Sequence, residues 1–276
     1  MAVPEKIRDD FVRAVGRPEP ALDLARAALL VAAESDARVD VDSQIHTLES
    51  WAAELSARLE PGWNNLQKLA RLRSFVFEDL GFRGDSKDYF SPSNSLLHQV
   101  MERRLGVPLT LSIIFMELGW RIGIPFEGVG FPGHFLVRVG GPSGVLIDPF
   151  NGGKPLDDDG LSALLRRSAG QDARLSASHV QPVGMRAIWI RMLANLRAIH
   201  EQRSDHRSAL VVCDRLVELD AGPPARRDRG LHALALGAGA AAASDLDSYL
   251  KAAPNAPDRA EVERALSRAS LGTSWN

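Results

Sequence analysis

The chain is poor in cysteine: among 276 residues there is one, Cys213. A single cysteine excludes an internal disulfide framework and any cysteine-rich zinc site, and it suits a reducing compartment. It also forces any cysteine chemistry through position 213. Basic excess is missing too, with 33 Lys and Arg against 35 Asp and Glu and a formal charge of −2. General polyanion binders carry a marked surplus of cations, so no nucleic-acid partner is expected. Aromatic residues make up only 6%. Trp51, Trp63, Trp120 and Trp189 fall on expected helices or their starts, where packing is a better use than base stacking. Long apolar runs are absent. The two longest, Ala21 to Ala33 and Leu231 to Ala243, are broken by charge, His or Gly, short of the ~20 apolar residues a membrane span needs. The opening MAVPEKIRDD has charges where a secretory signal needs an apolar stretch. A cytoplasmic protein without a membrane partner is expected, with about two domains at roughly 150 residues each.

What is present is helical periodicity at both ends and a strand period between them. Pro20 to Ala33 carries Leu22, Leu24, Ala25, Ala28 and Leu29 near a helical repeat. Asp42 and Ser43 read as N-caps of a helix with Ile45, Leu48, Trp51 and Leu55; Leu66, Leu69, Leu72, Phe75 and Val76 mark a third, closed near Gly81. Residues 84–95 (GDSKDYFSPSNS) are polar and turn-rich, a loop. A short helix is expected over 96–105. A longer one over 109–122 (LTLSIIFMELGWRI) is entered through Val107-Pro108, because proline suits the first helical position. Apolar on all sides, that helix is a buried one. The period then drops to two in FEGVGF (126–131), HFLVRV (134–139) and VLIDPF (145–150), with a Gly-rich turn at 140–144 joining the last two. Asp157, Asp158 and Asp159 read as the cap of a helix over 161–167, since a calcium loop needs more ligands at loop spacing.

From Gly184 onward the strand signal vanishes, and helices are expected over 187–202, 205–219, 225–236 and 240–252. Pro223-Pro224 and Pro254 lie about 31 residues apart, near the 34-residue period of tetratricopeptide hairpins. Charge divides the chain as well: residues 1–160 hold 17 basic and 23 acidic side chains, residues 161–276 hold 16 and 12. The expected fold class is α+β. A buried helix packs on a small antiparallel sheet behind a helical layer (1–180), and an all-α, tetratricopeptide-like region follows (181–276).

His134 opens one expected strand and Asp148 lies near the end of the next. In an antiparallel hairpin, positions 134, 136 and 138 can face 148, 146 and 144, which brings opposed Cβ atoms to about 5 Å. A carboxylate there accepts from an imidazole N–H and fixes its tautomer, as an orienting residue does for a catalytic base. A register slip of one residue would part the pair, and spacing alone favours a structural His–Asp pair. The nucleophile such a base would serve belongs at the start of the buried helix, where the helix end lowers a thiol's pKa. That position holds Pro108.

The text GVPLTLSIIFMELGWRIGIP, then GHFLVRV, then LIDPF resembles the core of the transglutaminase-like (papain-like) superfamily. More closely, SPSNSLLHQVMERRLGVPLTLS, GVGFPGHFLVRV and IDPFNGG resemble the bacterial SirB-type regulator family, in which a transglutaminase-like domain precedes tetratricopeptide-like repeats. The resemblance spans roughly residues 40–270. It implies that the superfamily's catalytic Cys, His and Asp fall at Pro108, His134 and Asp148, and it brings a proposed regulatory role without an established activity. Proline carries no nucleophile, so neither a cysteine transglutaminase nor a cysteine protease is expected. Cys213 lies in the helical region (LVVCDRLVEL), where a free cysteine is commonly a small buried apolar residue. Ser112 shares the face of residue 108 but lies about 6 Å along the axis; Thr110 is nearer in height and turned about 200° away. Both hydroxyls are expected to bond within the helix.

Asn94, Ser95 and His98 form a second polar cluster. One reading has Asn94 or Ser95 capping the next helix with His98 solvated. The other, implied by the family motif, lays this loop over His134, where it joins Phe131 and Gly133 in a pocket. The sequence positions of His98, His134 and Asp148 impose no ligand geometry, so neither metal nor cofactor is expected. Arg226-Arg227-Asp228-Arg229, a dense basic cluster at a helix start, reads as a solvated face. Two functions stand against each other. The first is a pseudoenzyme that binds a ligand, a peptide or a protein partner, its helical repeats offering a concave surface. The second is a hydrolase or acyl-transfer enzyme that uses His134 and Asp148 with Ser112, Thr110 or water as nucleophile. The surviving His134–Asp148 pair favours the second; Pro108 favours the first, which is the expectation.

Overall fold

Short polar side chains set where the first helices begin. A computed structural model of the chain describes residues 5–19 and 22–273. Helix α1 (Glu5–Val15) has no counterpart among the sequence expectations, because its charged text hides a narrow buried edge of Phe11 and Val15. Helix α2 (Leu24–Ser35) starts at Asp23, whose carboxylate accepts from Arg26 N at 2.8 Å. Pro20 and Ala21, where the sequence reading begins this helix, lie outside the described residues. Helix α3 (Val41–Ser56) is capped by Asp40, not by Asp42 or Ser43, since it is the Asp40 carboxylate that reaches Ser43 N at 3.1 Å. Asn64 and Gln67 form a capping box for α4 (Asn65–Ser74), which runs on into a π-helical turn, Phe75–Asp79.

Two short parallel strands, β1 (Arg83–Gly84) and β2 (Leu105–Gly106), bracket α5 (Leu97–Arg103). Helix α6 (Pro108–Arg121) then runs through the interior with every residue from Pro108 to Gly119 buried. Among them is Glu117. Its carboxylate accepts from Ala25 N at 2.8 Å, satisfying an orphan donor in the first turn of α2, and pairs with Arg121. Burial outweighs these partners and pushes its carboxyl above the ordinary range.

The sheet has five strands, β3 (Phe126–Val129), β4 (Leu136–Val139), β5 (Val145–Asp148), β6 (Lys154–Leu156) and β7 (Pro182–Val183), in the order β6-β5-β4-β3-β7 and antiparallel throughout. One face takes α6, with Phe126 against Phe115 at 5.3 Å between ring centroids. The approach requires Gly119, where an added Cβ would come within 2.0 Å of the Phe126 ring. The other face takes α7 (Asp158–Ala169), whose Leu161, Leu164 and Leu165 pack with Val129, Phe131, Leu136 and Leu146. Asp157 caps α7 through Gly160 N at 2.8 Å, so the acidic run closes a helix end. The fold class is α+β, a helix against a small antiparallel sheet.

The remainder is helical: α8 (Met185–Gln202), α9 (His206–Glu218), α10 (Pro223–Ala235), α11 (Gly239–Ala252) and α12 (Arg259–Thr273). The last of these has no counterpart in the sequence reading. The chain divides into two compact units between Trp189 and Ile190, within α8, whereas the sequence reading divides it at 180/181. In the second unit the Arg226–Arg229 cluster departs from expectation at Arg227 and Arg229, which are not a solvated face, while Arg226 stays exposed. Arg229 donates from Nε and Nη2 to Asp245 at 2.6 and 2.7 Å and from Nη1 to Asp214 at 3.0 Å. Arg227 reaches Asp258 at 2.6 Å, a carboxylate that also accepts from Tyr249 Oη at 2.6 Å. The cluster ties α10 to α9, to α11 and to the chain entering α12.

Candidate functional site

Pro108 is the first residue of α6, buried, where its missing N–H loses nothing. The hydroxyls behind it are engaged. Thr110 Oγ1 donates to Asn94 O at 2.8 Å, with Val107 O at 3.2 Å sharing the proton, and it accepts from Val107 N at 3.2 Å. Ser112 Oγ donates to Pro108 O at 2.7 Å, the back-bond to the preceding turn common for a helical serine. A hydroxyl has one proton to give. Both give theirs to a backbone carbonyl, and both side chains are wholly buried.

His134 lies in a tight turn just before β4, held by its own N–H to Phe131 O at 3.0 Å. The register pairs Val137 with Ile147 and Arg138 with Leu146. Continued outward, it sets residue 136 opposite 148, so the pairing runs two residues from the expected one. Two residues is a full side-chain period, and His134 stays on the Asp148 face, diagonal to it. His134 Nε2 and Asp148 Oδ1 are 2.9 Å apart. Asp148 has further partners: Oδ1 accepts from Phe150 N at 3.0 Å and Asn151 N at 3.3 Å, and Oδ2 from Asn151 Nδ2 at 2.5 Å. Burial works to raise this carboxyl, but the hydrogen bond and charge of His134, with the Asn151 donors, outweigh it and hold the group below its ordinary value. The carboxylate therefore orients the imidazole and also closes an Asx turn over Asp148-Pro149-Phe150-Asn151. The Asp-Pro pair is the sequence signal for that turn, and it points to Phe150 and Asn151, which motif reading passes over.

Phe150 stands edge-on to His134, 5.8 Å between centroids at 89°. Tyr89 meets Phe150 at 6.1 Å and Phe90 at 5.2 Å, and Phe90 is 60% exposed. The polar loop after β1 thus reaches the His134 neighbourhood through Phe150. It is pinned from below. Asp85 accepts from Lys87 N and Asp88 N, each at 3.1 Å, and from Asn94 Nδ2 at 3.2 Å; Asn94 also donates to Asp88 O and accepts from Arg103 Nη1 at 3.0 Å. The Asp88 N–H, helped by the Asn94 amide and opposed by burial, holds the Asp85 carboxyl below its ordinary value.

Asn94 therefore spends its amide on the loop and not on α5, whose N-cap is Leu96 with no side-chain hydrogen bond. Ser95 is buried, its Oγ without a hydrogen-bond partner among the described residues. Phe131 belongs to the core beneath α7, and Gly133 takes a left-handed φ of 63° where an added Cβ would meet Ser168 Cβ at 2.6 Å. His98 is half-buried in a cleft between α3 and α5 whose lining does not include His134. Among the described residues no three His, Cys, Asp or Glu side chains converge as metal ligands. Cys213 sits in α9, wholly buried, its thiol pushed up to about 12 by desolvation.

A model of the Transglutaminase-like superfamily matches residues 43–194, and a Tetratricopeptide repeat model matches residues 196–267. A UPF0162 protein of Xylella fastidiosa strain 9a5c is 38% identical over 239 residues, 85% of each chain. One from Vibrio cholerae is 31% identical over 194 residues, 68% of this chain and 72% of that one. A crystal structure of menin aligns with 96% of this chain and 75% of its own at 11% identity, with a TM-score of 0.43. That likeness is too loose to carry an argument.

Proposed function

This chain belongs to the transglutaminase-like superfamily, and within it to the UPF0162 proteins, and from that premise we propose that its core is a non-catalytic binding module. One observation carries the reading: the start of α6, where a helix end would activate a thiol, holds Pro108. The nearest hydroxyls along that helix, Thr110 and Ser112, donate to carbonyl oxygens and not to a base. A hydroxyl needs a stronger adjacent base than a thiol does, and removal of a triad nucleophile eliminates most of the rate enhancement where this has been measured. His134 and Asp148 then hold the Asx turn and the Phe150 ledge in place. The repeats supply a second reason for a binding role, since tetratricopeptide units are built for protein–protein contact. A regulatory action through an unidentified protein or peptide partner in the cytoplasm fits this arrangement.

Active-site labelling tests it. The full chain is incubated with a fluorophosphonate and with an activated acyl ester, followed by peptide mapping. The expected result is no modification of Ser112 or Thr110 above the level of the urea-unfolded chain. Labelling of either residue that disappears in His134→Ala would establish the hydrolase reading instead. Pro108→Cys adds a positive control. A thiol at the head of α6 should react with iodoacetamide near neutral pH faster than one at Ser112→Cys, a turn deeper in the helix.

A further inference from the structure

Between α3 and α5 lies an open cleft of about 930 Å³, lined among others by Gln44, Thr47, Trp51, His98, Gln99 and Arg104. Arg104 is its unusual member. It ends α5 in the left-handed conformation, φ 60° and ψ 21°, where glycine is the unstrained residue. Its guanidinium lies 4.4 Å from the Trp51 ring centroid and 4.9 Å from that of Phe82, a planar cation held against two aromatic faces. One N–H donates to Met101 O at the helix end, and no described carboxylate pairs with the group.

The other charges of the cleft are spent or exposed. Arg38 takes both oxygens of Asp36, at 2.9 and 2.7 Å, and Asp40 caps α3. Arg103 is turned toward Asn94 and Asp85, and Glu102 is exposed at the rim. His98 is held below its usual pKa by burial, and its Nδ1 is buried without a hydrogen-bond partner among the described residues. Arg104 is thus a preorganised cation whose counter-charge the described chain does not supply. Single small anions would leave most of this volume empty. The Gln44 and Gln99 amides carry the donor–acceptor pairs that match a peptide backbone, and Trp51 adds apolar surface.

We propose that the α3–α5 cleft binds an acidic peptide segment of a partner protein, with the Arg104 guanidinium reading a carboxylate while Trp51 holds it in place. The site is independent of the His134 region, so it stands whichever way the labelling experiment falls.

The test uses the full chain and fluorescein-labelled hexaglutamate, followed by fluorescence anisotropy, with hexaglutamine and inorganic pyrophosphate as competitors. In parallel, ¹H–¹⁵N spectra follow the Trp51 indole N–H, one of five tryptophans, assigned through Trp51→Phe. The expected result is saturable binding with Kd below about 1 mM, weakened by added salt, and a shift of the Trp51 signal. Hexaglutamine should compete at least about tenfold less well, as befits the loss of a charge-assisted bond. Arg104→Lys keeps the charge but loses the planar fork and the stack, and should bind roughly tenfold more weakly. Arg104→Gly suits the backbone and removes the cation, and should not bind. If the glycine variant fails to fold, Arg104→Lys carries the comparison. Absence of saturable binding, unchanged binding in Arg104→Lys, or an unmoved Trp51 signal overturns the proposal. Competition by pyrophosphate as effective as that by unlabelled hexaglutamate overturns it in favour of a small-anion site.

Discussion

Replacing Asp148 with alanine separates a structural His–Asp pair from a catalytic one. The carboxylate serves four donors: His134 Nε2 at 2.9 Å, Phe150 N at 3.0 Å, Asn151 N at 3.3 Å and Asn151 Nδ2 at 2.5 Å. Asn151 is exposed and Phe150 half-buried, so water can replace the acceptor there. His134 is 8% exposed and cannot recruit it. Losing a hydrogen bond to a charged acceptor costs about 1.5–3 kcal/mol. Opening a turn closed by the same side chain adds about 1 kcal/mol, by analogy with a lost helix cap. Asp148→Ala should therefore destabilise by about 2.5 to 4 kcal/mol and lower the melting temperature by roughly 5–16 °C for a unit of this size. Asp148→Asn keeps one acceptor oxygen but sets an amide against the Asn151 amide, and should fall between. The folded carboxyl titrates below its unfolded value. Its contribution is then fully present above the unfolded pKa and is lost as pH falls through the folded one, so the gap between Asp148→Ala and wild type should narrow in that acid range. Calorimetry at neutral pH and at stepped acid pH reads both effects. A variant melting within about 1 °C of wild type at neutral pH would refute Asp148 as a structural anchor.

Cys213 should be silent toward Ellman's reagent in the native chain and count as one thiol in urea, because it is buried and its thiol is pushed up to about 12; a native-state reaction at pH 8 would mean that α9 opens. Arg229→Ala leaves Asp245, 7% exposed, without its bidentate partner, and should cost the second unit about 3 kcal/mol in urea unfolding followed by circular dichroism. A cost under about 0.5 kcal/mol would return the cluster to an ordinary solvated surface. Gly119→Ala gains about 1 kcal/mol of helix propensity, yet its Cβ would stand 2.0 Å from the Phe126 ring. Overpacking typically costs 1–3 kcal/mol, so the variant should be neutral to destabilised by about 2 kcal/mol by thermal melt. A stabilised Gly119→Ala would show that α6 and β3 are not closely packed there.

The parts legible in the sequence are those fixed by local rules. The apolar run of α6, the proline at its head and the strand period of β3 to β5 each depend on neighbours a few residues away. The His134–Asp148 contact was foreseeable for a subtler reason: an error of two residues in register leaves a side chain on the same face. Helix α1 was not legible, because its buried edge of Phe11 and Val15 is too thin to stand out from its charges. Asn94 was equally opaque. An asparagine just before a helix reads as a cap, and only the fold brings Asp85 and Arg103 to it from either side. The same holds for Arg227 and Arg229, whose carboxylates lie 31 and 16 residues further along the chain.

By itself the sequence determined what this chain cannot do at the head of α6. Proline at 108 and the placement of the only cysteine at 213 are matters of covalent identity, and no packing can supply a missing sulfur. It also determined the α+β core and the helical repeats, because periodicity is written along the chain. The tertiary structure alone decided how the remaining polar groups are employed. Whether Thr110 and Ser112 face a base or a carbonyl, whether Asp148 orients an imidazole or closes a turn, and whether Arg104 meets a carboxylate depend on what lies within about 3 Å of each atom. Chain spacing does not encode those distances, since the partners arrive from other elements.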